Sequence, residues 1–128
     1  VISQSVLEHV EDLEGAYRSL HDWLRPGGMM SHQIDLGAHG TSGLWNGYRA
    51  YPEPVWRILK GRRPYLINRE PCSRHVGMIE RLGFDIVSDL RDRSHDDGLD
   101  RSRLAGRWKD ISDEDLACRQ IFLQAVKK

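Results

Sequence analysis

Short strand-like runs alternate with segments whose apolar residues recur at helical spacing, and this alternation limits the fold more than any other feature of the sequence. Residues 1–3 read as the end of a buried strand, and three later runs have strand character, at 29–36, 84–90 and 119–126. Helical patterns separate the first three runs. Alternating strands and helices predict an α/β fold with a mostly parallel sheet that helices cover.

The two clear helices have recognisable start and stop residues. Asp12 is suited to cap the first helix, which Pro26 and Gly27 end. Ser73 is predicted to cap the second helix, which Gly83 ends. The connection between the last two strands favours an antiparallel pair at the sheet edge.

Charge and cysteine content exclude several classes of protein. Lysine plus arginine and aspartate plus glutamate number 19 each, so the formal net charge is zero and we expect no nucleic-acid partner. No apolar run is long enough for a membrane span, which needs about 18 residues. Cys72 and Cys118 form no C-x-x-C pair and no export signal is visible, so we expect reduced thiols in a cytoplasmic protein.

Two motifs carry a resemblance to a known family. They are S-Q-S-V-L-E-H-V-E-D at 3–12 and, after a helix, L-R-P-G-G at 24–28. Together they resemble the second half of class I S-adenosylmethionine-dependent methyltransferases, in which V-L-E-H-V follows the fourth strand and L-x-P-G-G enters the fifth. A looser match, H-Q-I-D at 32–35 with His39 and then I-N-R at 67–69, is similar to a bacterial subgroup of the type 11 methyltransferases.

The resemblance implies a partial domain. Residues 1–128 would form the C-terminal half of a Rossmann-like methyltransferase sheet, from the fourth strand to an antiparallel last strand, with a substrate-side insertion at about 37–70. The family's glycine-rich loop and its acidic ribose ligand have no counterpart here. We therefore expect this chain by itself to bind S-adenosylmethionine poorly and to be inactive.

The predicted cofactor contacts follow the first strand. Ligands bind at the carboxyl ends of the strands in an open parallel sheet. The resemblance places this segment beside the methionine part of the cofactor and the transferring methyl group. The predicted cofactor-binding residues are Ser3, Gln4, Ser5, Val6 and His9.

Three residues are candidates for proton transfer. Histidine is the side chain that ordinarily gains or loses a proton near working pH, which makes His9 a candidate base, and Asp35 could orient the imidazole of His39 across a turn. The alternative is that these groups only hold loops by hydrogen bonds. Some relatives bind a divalent metal through E-x-x-E-H, but Ser5 replaces the first glutamate, so we expect no metal.

The predicted substrate contacts come from the second strand and the insertion. Alternation along a strand places His32 on the face opposite Asp35. The insertion contains aromatic residues, among them Trp45 and Tyr48, and these would either contact the substrate or form a separate hydrophobic cluster. The candidates are His32, Trp45, Tyr48, Asn68 and Arg69.

Three functions remain open at this point. The first is methyl transfer from S-adenosylmethionine to an unidentified acceptor, a small molecule or a glycan or lipid. The second is a non-catalytic interaction module that forms a homodimer through the exposed sheet edge. The third, a metal-dependent hydrolase that uses His9, His32 and His39, has no known motif spacing behind it.

Overall fold

The chain folds around one four-stranded sheet with the strand order β1-β2-β4-β3. The computed structural model describes residues 1–94 and 96–128. The strands are β1 (Ile2–Gln4), β2 (Met29–Asp35), β3 (Phe84–Arg93) and β4 (Cys118–Lys127).

The predicted α/β sheet with an antiparallel last strand is confirmed. β1 and β2 pair in parallel, whereas β4 pairs antiparallel with both β2 and β3. Three of the four strands therefore point the same way, although only one ladder is parallel. β4 lies between β2 and β3, so the antiparallel pair at the edge consists of β4 and β3.

Four helices accompany the sheet in the described ranges: α1 (Leu13–Trp23), α2 (Glu53–Lys60), α3 (Cys72–Arg81) and α4 (Asp113–Ala117). Asp12 caps α1 as predicted, because its carboxylate accepts the Gly15 N–H at 2.9 Å. After α1 the chain reverses at Gly27, whose φ of 75° lies in the left-handed region that glycine adopts without strain. This turn brings the chain back into β2 beside β1.

The main core lies between the sheet and the helices α1 and α3. α1 buries Leu13, Tyr17 and Leu20 at helical spacing, and they pack against alternate residues of β2 and β4 such as Ile34 and Leu123. The opposite faces of these strands are polar or only half-buried, which is why β2 alternates in burial. This core fixes the plane of the sheet and hence where its carboxyl ends lie.

The predicted cap of α3 is wrong. Pro71 occupies the N-cap position, and Ser73 lies inside the first turn. The Asp115 carboxylate instead accepts the Ser73 N–H at 2.9 Å and the Ser73 hydroxyl at 2.6 Å, together with the Cys72 thiol at 2.9 Å. A carboxylate distant in sequence thus replaces the local cap at the start of α3.

Segment 37–70 and the chain before β4 form two smaller clusters. One cluster contains Tyr48 and Trp56, and the other contains Trp108. A backbone hydrogen bond from the Ala105 N–H to the Arg49 carbonyl, at 3.0 Å, joins the two segments. No helix within the described ranges is both long and apolar enough to cross a bilayer.

We expect Asp115→Asn to destabilise the fold by about 1–3 kcal/mol at neutral pH, because it weakens three hydrogen bonds to a buried carboxylate. Burial raises the pKa of Asp115, but the hydrogen bonds from Cys72 and Ser73 outweigh this effect and hold the pKa below 3.8. The stabilisation is therefore present at neutral pH and is lost as pH falls below about 4.

Urea unfolding at several pH values measures this effect, and the gap between wild type and variant should narrow toward pH of about 3. Asp85→Asn is the matched control, since Asp85 makes an exposed ion pair with Lys128 worth less than about 1 kcal/mol. Equal losses in the two variants would contradict the role of Asp115.

Candidate functional site

The carboxyl ends of β1 and β2 lie side by side because the two strands pair in parallel, with Gln4 opposite Gln33. The Ser5 N–H donates to the Gln33 carbonyl at 2.9 Å and extends this pairing by one residue. The chain then turns at Ser5, which has a φ of 50°, into a short 3₁₀ turn at Leu7–His9.

Asn68 fixes this 3₁₀ turn. Its side-chain amide donates to the carbonyls of Leu7 at 2.8 Å and Val10 at 2.9 Å, and its backbone N–H donates to the Glu8 carbonyl at 2.7 Å. Its side-chain oxygen accepts the Glu70 N–H at 2.9 Å. The polar groups of Asn68, a predicted substrate residue, therefore bond to other parts of the chain and hold Glu8 and His9 in position.

Four polar side chains converge beside the turn: Glu8, His9, Asp35 and His39. The rings of His9 and His39 meet edge to face with centroids 4.8 Å apart, and His9 Nε2 lies 4.0 Å from Glu8 Oε1. Asp35 Oδ2 lies 3.7 Å from His39 Nε2. The structure therefore brings together all three predicted catalytic residues, His9, Asp35 and His39.

Glu8 is the most constrained member of this cluster. It is 2% exposed, and neither carboxylate oxygen accepts a well-formed hydrogen bond from the described residues. Burial raises the pKa of Glu8 above 4.5, against the opposing effects of nearby backbone N–H groups and of His9 and His39. Burial of a polar group without a hydrogen-bond partner lowers the stability of the fold, so the burial of Glu8 requires a structural or functional explanation.

Backbone strain is concentrated around the same cluster. Within the described ranges, the non-glycine residues with positive φ are Ser5 at 50°, His39 at 46° and Arg69 at 67°. A non-glycine residue in this backbone conformation costs about 1–3 kcal/mol, and such residues are frequent at functional sites. Gly40, with a φ of 78°, continues the turn after His39.

His32 lies apart from this cluster, on the core face of β2. It is 1% exposed, and its Nδ1 lies 2.7 Å from the Ser3 hydroxyl, so two predicted site residues bond to each other. Tyr17 contacts the ring of His32 and hydrogen-bonds to His75 Nδ1 at 2.8 Å. As predicted, Asp35 is on the opposite face.

The remaining predicted cofactor residues, Gln4, Ser5 and Val6, are exposed. They leave their side chains available to a ligand at the end of β1. His9 is half-buried, with one edge of its ring against His39.

The aromatic residues of the insertion divide by burial. Tyr48 is 1% exposed and its hydroxyl donates to the Leu36 carbonyl at 2.9 Å, so its ring supports the loop after β2. Trp45 is half-buried, with the Arg119 guanidinium 5.8 Å from its ring. A substrate contact of Tyr48 would require this loop to open.

Arg69 links the cluster to a surface pocket. Its guanidinium lies 4.5 Å over the Trp56 ring and donates to the Tyr51 carbonyl at 3.1 Å and to Glu53 at 2.5 Å. Arg69 lines a pocket of about 310 Å³ on one side, with Trp56, and a cavity of about 10 Å³ with Glu8 on the other.

Sequence reasoning missed the burial of Glu8 and of Arg49. Arg49 is fully buried between the rings of Tyr48 and Trp108, and its guanidinium nitrogens have no hydrogen-bond partner among the described residues. A glutamate inside the apolar run V-L-E-H-V was an available signal for Glu8. No local pattern marked Arg49.

No protein-family model matches the sequence, and no curated protein matches it either. Solved structures do match, at low identity. An S-adenosylmethionine-dependent methyltransferase from Mesorhizobium loti is 17% identical, with a TM-score of 0.58 over 98% of this chain and 60% of its own. Phosphoethanolamine N-methyltransferase 2 from Haemonchus contortus is 13% identical, with a TM-score of 0.53 over 99% of this chain and 32% of its own.

The similarity establishes a fold and not an activity. The [4+2]-cyclase SpnF also matches, with 14% identity and a TM-score of 0.53 over 98% of this chain and 49% of its own. The chain has the fold of the C-terminal portion of class I methyltransferases and spans about 60% of the length of the Mesorhizobium structure. One fold can carry several chemistries, so function depends on the site residues.

We expect stability to fall as pH is lowered from about 6.5 toward 4. Burial lowers the pKa of His32 to about 4, helped by the N-terminal ammonium, and lowers that of His75 to about 3, helped by His32. Below pH of about 6.5 the unfolded chain therefore binds more protons than the folded chain, and acid favours unfolding.

Thermal or urea unfolding across this pH range tests the expectation. His75→Gln can keep a hydrogen bond to Tyr17 without titrating, and it should flatten the pH slope by up to about 1.4 kcal/mol per pH unit. A slope equal to the wild type in His75→Gln would show that His75 is not buried in its neutral form.

Proposed function

We propose that this chain is the C-terminal part of an S-adenosylmethionine-dependent methyltransferase domain, with residues 37–70 on the acceptor side. The observation that carries the proposal is the convergence of His9, Asp35 and His39 at the carboxyl ends of two parallel strands. Ligands of open α/β sheets bind at this edge. The methyltransferase fold of the solved relatives supports the same placement.

The segment Ser3–Val6 would flank the methionine part of the cofactor. Its side chains from Gln4 to Val6 are exposed, so a ligand can reach them without rearrangement of the core. The Ser3 hydroxyl is hydrogen-bonded to His32, so Ser3 would contribute by fixing the conformation of the end of β1. The remaining cofactor contacts, which a glycine-rich loop makes in the family, would come from sequence outside these 128 residues.

Methyl transfer is an in-line displacement in which the acceptor nucleophile attacks the methyl carbon and the carbon–sulfur bond breaks. The products are the methylated acceptor and S-adenosylhomocysteine, and the positive charge on sulfur is neutralised. The chief contribution of the protein is to align the two reactants. If the acceptor carries a proton, His39 or His9 would take it, with Asp35 orienting His39.

The acceptor pocket would be the one beside Arg69. It has Trp56 as an apolar wall, and its lining contains four cations and two carboxylates. The residues are Arg57, Lys60, Arg69 and Arg107 against Glu11 and Glu53. This excess of positive charge favours a small-molecule, glycan or lipid acceptor that bears a negative group.

Calorimetry with S-adenosylmethionine tests the proposal. The 128-residue chain alone should bind at least about a hundredfold more weakly than the chain joined to its natural upstream coding sequence, because half of the site is missing. That upstream sequence should encode a glycine-rich strand–loop–helix. Micromolar binding by the short chain would contradict the half-site, and no binding by the longer one would overturn the proposal.

A matched pair of variants locates the contact in the longer chain. Val6→Trp adds bulk beside the proposed cofactor and should weaken binding by at least about tenfold. Val87→Trp makes the same change on β3, at the other edge of the sheet, and should have no effect. Equal effects would show that Val6 does not border the cofactor.

The second candidate function is a non-catalytic interaction module. Among the described residues no strand pairs with the outer side of β1, where Ile2 is 84% exposed and Val1 is 47% exposed. An unpaired apolar edge strand can recruit another copy of itself. This arrangement would give a homodimer with a sheet continuous across two chains.

Sedimentation velocity over a wide concentration range distinguishes the two candidates. The module predicts a dimer that Ile2→Lys converts to a monomer, because a charged side chain blocks edge pairing. Ile58→Lys, at an exposed position on α2, is the control and should leave the dimer intact. A wild-type chain that stays monomeric throughout would exclude the module.

A further inference from the structure

The ionisable side chains at the ends of β1 and β2 are arranged in a way that proton transfer alone does not explain. Glu8 is buried with both carboxylate oxygens lacking a well-formed hydrogen bond from the described residues. His9 Nδ1 is also buried and unpaired within those residues. Unpaired buried ligand atoms are expected where a group that is not part of the chain completes the bonding.

We propose that Glu8, His9 and His39 bind one divalent transition-metal ion. One ligand atom from each side chain can be chosen such that all three lie within 4.8 Å of one another. Two imidazoles and one carboxylate suit zinc and its first-row neighbours better than magnesium or calcium, which prefer oxygen ligands.

The geometry needs only a small contraction. Zinc bonds of about 2.0–2.2 Å in a tetrahedral site place ligand atoms about 3.4 Å apart. His39 lies on a turn and its side chain is 25% exposed, so its ring can rotate inward without displacing core residues. The hydrogen bonds of Asn68 hold Glu8 and His9 in place meanwhile.

Asp35 completes the arrangement from outside the ligand set. Its backbone carbonyl lies 3.4 Å from His39 Nε2 and its Oδ2 lies 3.7 Å from the same nitrogen, while its Oδ1 accepts the Gly37 N–H at 2.8 Å. A backbone carbonyl or carboxylate that accepts from the second nitrogen of an imidazole fixes the tautomer and orientation of a metal ligand. Asp35 is thus a positioning residue for His39.

We expected no metal because Ser5 stands where some relatives have a glutamate ligand. That expectation considered only ligands within the motif at 3–12. The fold supplies His39 from the loop after β2 in place of that ligand. Three protein ligands leave coordination positions open, as in catalytic rather than structural sites. The inference shares the location of the proposed methyltransferase site but does not depend on cofactor binding. With an ion bound, His9 and His39 would no longer be free to take a proton, and an acceptor hydroxyl at an open position would instead lose its proton more readily because the ion stabilises the alkoxide.

The test is titration of the metal-free 128-residue chain with cobalt(II) by visible absorption and with zinc chloride by calorimetry. We expect one ion per chain and ligand-field bands that zinc abolishes. His39→Asn and Glu8→Gln should each weaken zinc binding by more than about tenfold, and Asp35→Asn by about 10–100-fold.

His21→Asn is the matched control, because His21 also lies beside a carboxylate, that of Asp22, at 3.5 Å. It should bind zinc as the wild type does. Circular dichroism verifies folding, and the half-buried His39 variant remains decisive if Glu8→Gln does not fold.

Absence of cobalt bands, or equal affinity in wild type and His39→Asn, overturns the metal site. Calorimetry with S-adenosylmethionine is a separate readout. If the wild-type chain binds no zinc while the longer chain binds S-adenosylmethionine, this inference alone is rejected. If the wild-type chain binds zinc but the longer chain does not bind the cofactor, only the proposed function is rejected.

Discussion

The parallel ladder between β1 and β2 is the constraint on which the site depends. Parallel pairing makes both strands end at the same edge, so the turn after Ser5 and the turn around His39 leave the sheet as neighbours. An antiparallel pair would send the two turns to opposite ends of the sheet. The core under α1 then holds the ladder in plane, and polar side chains from two turns that are distant in sequence converge.

The second requirement is that remote segments secure these turns. Asn68 holds the 3₁₀ turn of Glu8 and His9 from a distance of about sixty residues, and Arg69 beside it adopts a strained backbone while it stacks on Trp56. The insertion therefore does two jobs, since it supports the cluster and also walls the adjacent pocket. Stability is exchanged here for a fixed arrangement of ionisable groups.

Local patterns predicted most of the fold, because caps and alternating burial are set by neighbouring residues. Asp12 at the start of α1 and the opposite faces of His32 and Asp35 are examples. Contacts between distant segments escaped prediction. Asp115 replaces Ser73 at the start of α3, Ser3 bonds to His32, and Glu8 is buried by residues from other loops. The convergence of Asp35 and His39 was within reach because a four-residue turn separates them.

The position of β4 between β2 and β3 has a consequence for how the chain is made. In β2, Asp35 pairs with Gln120 and Met29 pairs with Val126. This edge of β2 therefore cannot form its backbone hydrogen bonds until residues much later in the chain have been synthesised. At about 5–20 residues per second that edge stays unpaired on the ribosome for roughly 4–17 s. During this interval β2 presents open backbone groups to other nascent chains, and its polar side chains Ser31 and Gln33 reduce the risk of mispairing before the sheet closes.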